Sequence, residues 1–154
     1  MNKFVQAGKV KQVKATILAP ENAGLRIVLN AVGQSGKFDT KLDTLLTKKW
    51  LKVREDYRGW FASQQNFKLG CVNNTAVASD IWVVNMLVQD KEDKFSQEGL
   101  QAAVKKLADL AKYEKASVHV STLLTAEIPT LQDLLLTHLV ENGIHVYFYE
   151  EPVK

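Results

Sequence analysis

The segment Leu25-Arg26-Ile27-Val28-Leu29-Asn30-Ala31-Val32-Gly33-Gln34-Ser35-Gly36-Lys37 decides how the chain is read. Leu25 to Asn30 is a short, almost unbroken apolar run rich in branched residues. Closed by Gly33 and Gly36, it has the pattern of a strand buried on both faces. After Gly36 the period changes: Leu42, Leu45, Leu46, Trp50, Val53 and Tyr57 recur three or four apart, which predicts a long amphipathic helix with Asp39 or Thr40 at its cap and a break near Trp50. A buried strand, a glycine turn and a helix are the opening of an α/β unit.

The same alternation extends in both directions. Upstream, Val10, Val13, Ala15 and Ile17 make a strand that Pro20, Asn22 and Gly24 end. Downstream, Lys68–Val72 and Ile81–Val88 read as two or three strands joined by turns at Asn73-Asn74 and Ser79-Asp80, the last of them central. Ser96 caps a helix whose apolar face is Leu100, Val104, Leu107 and Ala111, its charged side being a solvated face. Ser117–Ser121 alternates as a strand, Thr130 with Asp133 opens another helix, Asn142-Gly143 ends it, and Ile144, Val146 and Phe148 mark a last strand. The fold class is α/β, with a mixed, mostly parallel sheet covered by helices on both faces. Ligands of such sheets sit beyond the carboxyl ends of the strands, which directs attention to the loops after Leu29, Val88 and Val120.

The 154 residues suit one domain spanning 1–154, with no repeat or linker. With 46% hydrophobic and 24% charged residues the chain has the composition of a folded globular protein. Its net charge of +3 is spread along the sequence, which argues against a nucleic-acid partner. No stretch approaches the ~20 apolar residues of a membrane span, and Met1–Gln6 lacks the apolar run of a signal peptide, so a cytoplasmic location without membrane attachment is expected. Cys71 reads as a buried structural thiol, and no cofactor is implied. His119, His138 and His145 have no metal-binding spacing and read as structural or surface residues. The serines at 35, 96 and 121 lack a nucleophile-elbow context, so no catalytic residue is nominated.

Two strings can carry chemistry. Asn30 to Lys37 lies between a strand and a helix, where glycines let a ligand approach the backbone and free N–H groups favour an anion. It matches neither the Rossmann fingerprint nor the P-loop, since Phe38 and Asp39 follow Lys37, and by spacing alone a plain tight turn explains it. The string Trp82-Val83-Val84-Asn85-Met86-Leu87-Val88-Gln89 puts two amides at the end of a core strand. Asn85 and Gln89 either tie down neighbouring loops or meet a ligand.

Together the two strings resemble the macro domain family, in its branch similar to ADP-ribose 1''-phosphate processing proteins. The branch's first loop looks like Asn-x-x-Gly-x-x-Gly-Lys-Gly, matched here by Asn30, Gly33, Gly36 and Lys37. Its central strand ends in Asn-Met-x-x-Gln, matched by Asn85, Met86 and Gln89. The likeness extends to Tyr57-Arg58-Gly59-Trp60, Leu69-Gly70, Val118-His119-Val120 and His145-Val146-Tyr147, and so covers most of the chain. It implies a three-layer α/β/α macro-domain-like fold, and a ligand-binding set of Asn30, Gly33, Gly36, Lys37, Asn85 and Gln89.

The departures imply a degenerate site. Ala15-Thr16 stands where the family carries Gly-Asp, whose carboxylate holds the adenine amino group. Phe38 replaces a glycine beside the distal ribose and is large enough to fill that space. Residues 121–130 contain no glycine where the family wraps the diphosphate in a Pro-x-Ile-Gly-x-Gly loop, and Glu127 adds a carboxylate there without an assigned catalytic role. Three functions are in play: a degenerate macro-like domain binding ADP-ribose, another nucleotide-like anion or a protein partner; a hydrolase of ADP-ribose derivatives; and an interaction domain presenting Trp50, Tyr57 and Trp60.

Overall fold

The computed structural model describes residues 6–152; the reading of the extreme N-terminus lies largely outside them. In chain order the elements are β1 (Val10–Val13), β2 (Arg26–Gly33), α1 (Lys41–Lys49), α2 (Leu51–Ser63), β3 (Val72–Ala78), β4 (Ile81–Gln89), α3 (Gln97–Glu114), β5 (Ser117–Ser121), α4 (Thr122–Glu127), α5 (Leu131–His138) and β6 (Val146–Tyr149), with a 3₁₀ turn at Val140–Asn142. The six strands form one sheet in the order β1-β6-β5-β2-β4-β3. All neighbours are parallel except β3, which pairs antiparallel with β4. The mixed, mostly parallel α/β/α arrangement expected from the sequence is the one observed.

β2 is buried from Ile27 to Gly33, which explains its continuous apolar run. It continues through Asn30 to Gly33, so the first half of the glycine string is strand, and only Gln34 onward is loop. Asn73-Asn74 is likewise not a turn: both residues lie in β3, and the hairpin turns at Ser79-Asp80. Lys68–Cys71 precedes the strand, and Cys71 is half-buried, not buried. The helix breaks at Trp50, as its sequence indicated, and Thr40 is the cap of α1. Ser96 caps α3 by accepting from the Gly99 N–H, whereas the Thr130 side chain makes no such bond to α5.

Residues paired across parallel strands share a face, so the register sorts the core. Asn30 pairs with Asn85, Val28 with His119, and Thr75 with Val83. Ser117 pairs with Arg26 and Ser121 with Tyr149. Asn30, Asn85, Thr75, Ser117, His119 and Ser121 therefore all lie on one face, where Asp43 of α1 meets Asn30. These seven are the buried polar residues among those described. The opposite face carries Ile27, Leu29, Val84, Met86, Val118, Val120 and Phe148 in one apolar cluster with Leu100, Val104 and Leu107 of α3. A sheet with one dry face and one polar face positions its chemistry on the polar one.

Candidate functional site

Asn30 is the centre of the polar face. Its Nδ2 donates to Asp43 Oδ1 at 2.9 Å and to Asn85 Oδ1 at 3.0 Å. Both amide protons are thus used inside the protein, and Oδ1 is the atom left for an outside partner. Asp43 is held in turn by the start of α1. Thr40 N–H donates to its Oδ2 at 3.1 Å, and Thr40 Oγ1 accepts from the Asp43 N–H at 3.0 Å, a capping box built with aspartate. Burial pushes the Asp43 carboxyl above the ordinary carboxylate range, and the bonds from Asn30 and Thr40 oppose that shift. Asn85 keeps a buried Nδ2 with no partner among the described residues.

Asn30 opens onto a cleft of about 490 Å³ at the carboxyl ends of β2 and β5. Thr40, Lys41 and Leu42 form one wall; Thr122, Leu124 and Glu127 of α4 form the other. The glycine-free segment after Val120 has become a short helix with Ser121 as its cap, and it leaves the cleft open. Phe38 does not fill the space either: its ring stacks on Tyr57 with centroids 5.3 Å apart. Burial and the nearby Asp43 charge raise the Glu127 carboxyl above its usual range.

A smaller cavity of about 300 Å³ adjoins the first through Ala31 and Thr40 and is lined by three more of the sequence candidates, Gly33, Lys37 and Gln89, whereas Gly36 and Asn85 do not line it. Lys37 Nζ pairs with Asp93 Oδ2 at 2.9 Å, Ser35 Oγ donates to Asp93 Oδ1 at 2.7 Å, and Gln89 Nε2 donates to the Asp93 carbonyl at 3.1 Å. Gln89 therefore ties down a loop, and Lys37 is engaged by a carboxylate of the chain itself. A Cβ on Gly33 would stand a tight 3.0 Å from Gln89 Cβ, and Gly36 has a φ of +88°, where glycine is favoured.

Tyr57 fastens this loop from beneath. Its phenol donates to the Gly33 carbonyl at 2.6 Å, and burial pushes its pKa up to about 12, so it stays a donor. Tyr57→Phe is expected to leave that carbonyl unpaired and cost about 1–2 kcal/mol of stability. Urea denaturation of the two proteins checks this; equal midpoints would show that the clasp is unimportant. The ring is fully buried, while Trp50 and Trp60 are half-buried against the core clusters. Of the three rings only Tyr57 is fully covered, and Trp50 and Trp60 keep part of their surface exposed.

The histidines form no catalytic set. His119 is buried between Ser117 Oγ on Nε2 and Tyr149 Oη on Nδ1, each at 2.7 Å. Tyr149 Oη also accepts from the Glu21 N–H, and Ser117 is buried with the imidazole, so these groups hold one another inside the fold. At the other end of the polar face, Glu151 accepts from Thr16 Oγ1 and the Ile17 N–H, each at 2.8 Å. Among the described residues no cluster of three metal-ligating side chains occurs and no helix is long and apolar enough to cross a membrane.

Sequence reasoning found Asn30, Asn85, Lys37 and Gln89 but not Asp43, which holds Asn30, or Asp93, which holds Lys37 and Gln89. Thr40-x-x-Asp43 was a usable signal for the first. Asp93 sits in the charged run Asp90-Lys91-Glu92-Asp93-Lys94, which gave none.

The sheet order, the polar face and the cleft beyond the strand ends define a macrodomain fold. Among solved structures the chain is similar to a macrodomain protein from Streptomyces coelicolor, 24% identical over 94% of this chain and 100% of that one, with a TM-score of 0.86. It is also similar to the macrodomain of Thermus aquaticus DarG, with 16% identity, 94% and 99% covered and a TM-score of 0.71. A third similar structure is Thermosipho africanus DarTG in complex with ADP-ribose, at 14% identity, 84% and 38% covered and a TM-score of 0.66. No family model and no curated protein matches the chain.

Proposed function

We propose that the cleft between α1 and α4 binds ADP-ribose or a closely related nucleotide, and that the protein is a binding domain with a reduced site. The observation that carries this is Asn30: a buried amide oriented by two partners, with its free oxygen at an open cleft beyond the strand ends. The fold of an ADP-ribose complex, that of Thermosipho africanus DarTG, supports the choice of ligand. The site is reduced at both ends. Glu151 engages Thr16, where the resemblance places the adenine anchor, together with the neighbouring Ile17 N–H, and α4 stands in place of a glycine loop around the diphosphate. Isothermal titration calorimetry with ADP-ribose, ATP, NAD and inorganic phosphate tests the proposal. Saturable micromolar binding selective for ADP-ribose is expected; no heat with any of the four would overturn it and turn the search to protein partners.

One observation favours a second reading, hydrolysis of ADP-ribose derivatives: Glu127 lines the cleft with its proton affinity raised, as suits a general acid or base. Incubation with ADP-ribosylated protein decides it, since turnover that disappears in Glu127→Gln would support hydrolysis and no product above blank would end it.

A further inference from the structure

The smaller cavity has a charge pattern that a site for phosphate would not have. Ser35 Oγ and Lys37 Nζ, two side-chain donors of the glycine loop, both point to one carboxylate, that of Asp93. The 89–95 loop fixes this carboxylate in place. Asp90 Oδ1 accepts from the N–H groups of Glu92 and Lys94, the Asp90 N–H donates to the Lys94 carbonyl, and Gln89 Nε2 holds the Asp93 carbonyl. Asp93 itself adopts φ 63°, a conformation disfavoured for most side chains and better tolerated by aspartate and asparagine. The cavity it borders also contains Asp39 and Asp43, so three carboxylates face one lysine. On the side of the larger cleft, Asn30 has spent both amide protons and offers only an acceptor.

We propose that Asp93 is a specificity-determining residue: it fills the anion position of the glycine loop with the chain's own carboxylate, so that this end of the cleft accepts a neutral, hydroxyl-bearing group and rejects a phosphate. The proposal rests on the nucleotide-binding reading above and deepens it. A sugar hydroxyl can donate to Asn30 Oδ1. A phosphate there finds the Asn30 and Ser35 protons already spent and the Lys37 charge already paired, and it meets a fixed like charge. The Lys37–Asp93 pair is exposed, with side-chain exposures of 64% and 40%, so the discrimination is moderate, about tenfold.

Two measurements test it on the full chain. In the first, inorganic phosphate is titrated and the backbone amide resonances of Ser35, Gly36 and Lys37 are followed. The unaltered protein is expected to show no saturable shift, whereas Asp93→Asn and Asp93→Gly, both compatible with the loop's positive φ, gain one. Adding Lys37→Met to Asp93→Asn removes it again. In the second, calorimetry compares ADP-ribose with ADP-ribose 1''-phosphate. The unaltered protein is expected to prefer the unphosphorylated ligand about tenfold, and Asp93→Asn to bring the two within about twofold. Equal binding of both ligands by the unaltered protein, or a phosphate response at Ser35 and Lys37 that the Asp93 substitutions leave unchanged, would overturn the proposal. Binding of neither nucleotide would defeat the function proposed above, and the phosphate titration would still decide the role of Asp93.

Discussion

Replacing Asp43 by alanine is expected to lower the unfolding free energy by about 3 kcal/mol, more than its place in the first turn of a helix would suggest. Loss of the capping box accounts for about 1 kcal/mol, as for other helix caps. The rest comes from Asn30, which is 1% exposed and would keep one amide proton with no acceptor, at a cost of about 1–3 kcal/mol. Thr40→Ala breaks the cap but leaves the Asn30 bond intact, and should cost only about 1 kcal/mol. Urea denaturation of both variants separates the two contributions, and equal losses would show that the Asp43–Asn30 bond contributes nothing. The same substitution also frees the Asn30 amide to turn over. Ligand affinity should therefore fall in Asp43→Ala and hold in Thr40→Ala, wherever both proteins remain folded.

The second large effect concerns acid. Burial, aided by the Arg26 charge, depresses the His119 pKa from 6.5 to about 3. Between those values the unfolded chain binds a proton that the native protein does not. Stability therefore rises with pH across the window, and it is lost as pH falls from about 6.5 toward 3. A depression of this size corresponds to about 5 kcal/mol when the window has been crossed. Asp43 and Glu127, whose carboxyls are raised, bind protons in the native state and work in the opposite direction at the acidic end. The comparison that isolates His119 is the pH dependence of unfolding free energy against that of His119→Gln. The variant is expected to have a clearly shallower loss between pH 6.5 and 4; parallel curves would mean that the imidazole titrates normally in the folded protein.

The burial pattern explains which parts of this architecture could be read in advance. β2 and β4 were legible because strands covered on both faces must be apolar throughout, and α3 because its stripe of Leu100, Val104, Leu107 and Ala111 faces the dry side of the sheet. Asn73-Asn74 misled because asparagine pairs favour turns, yet here Asn73 lies opposite Asn85 on the polar face, where a strand tolerates amides. Cys71 misled for a related reason: it stands just outside β3, where the chain is only half covered. Within the site, the amides and glycines were visible as residue types at strand ends. Their partners were not, because Asp43 and Asp93 reach them from 13 and 56 residues away, through contacts that only the fold creates.

Amide chemical-shift mapping during titration with ADP-ribose reports both binding and its place. Saturable shifts are expected at Asn30, Ala31 and Leu42 and along Thr122–Ala126, around the larger cleft. No shifts, or shifts confined to the far end of the sheet around Lys112, Asn142 and His145, would contradict binding in that cleft.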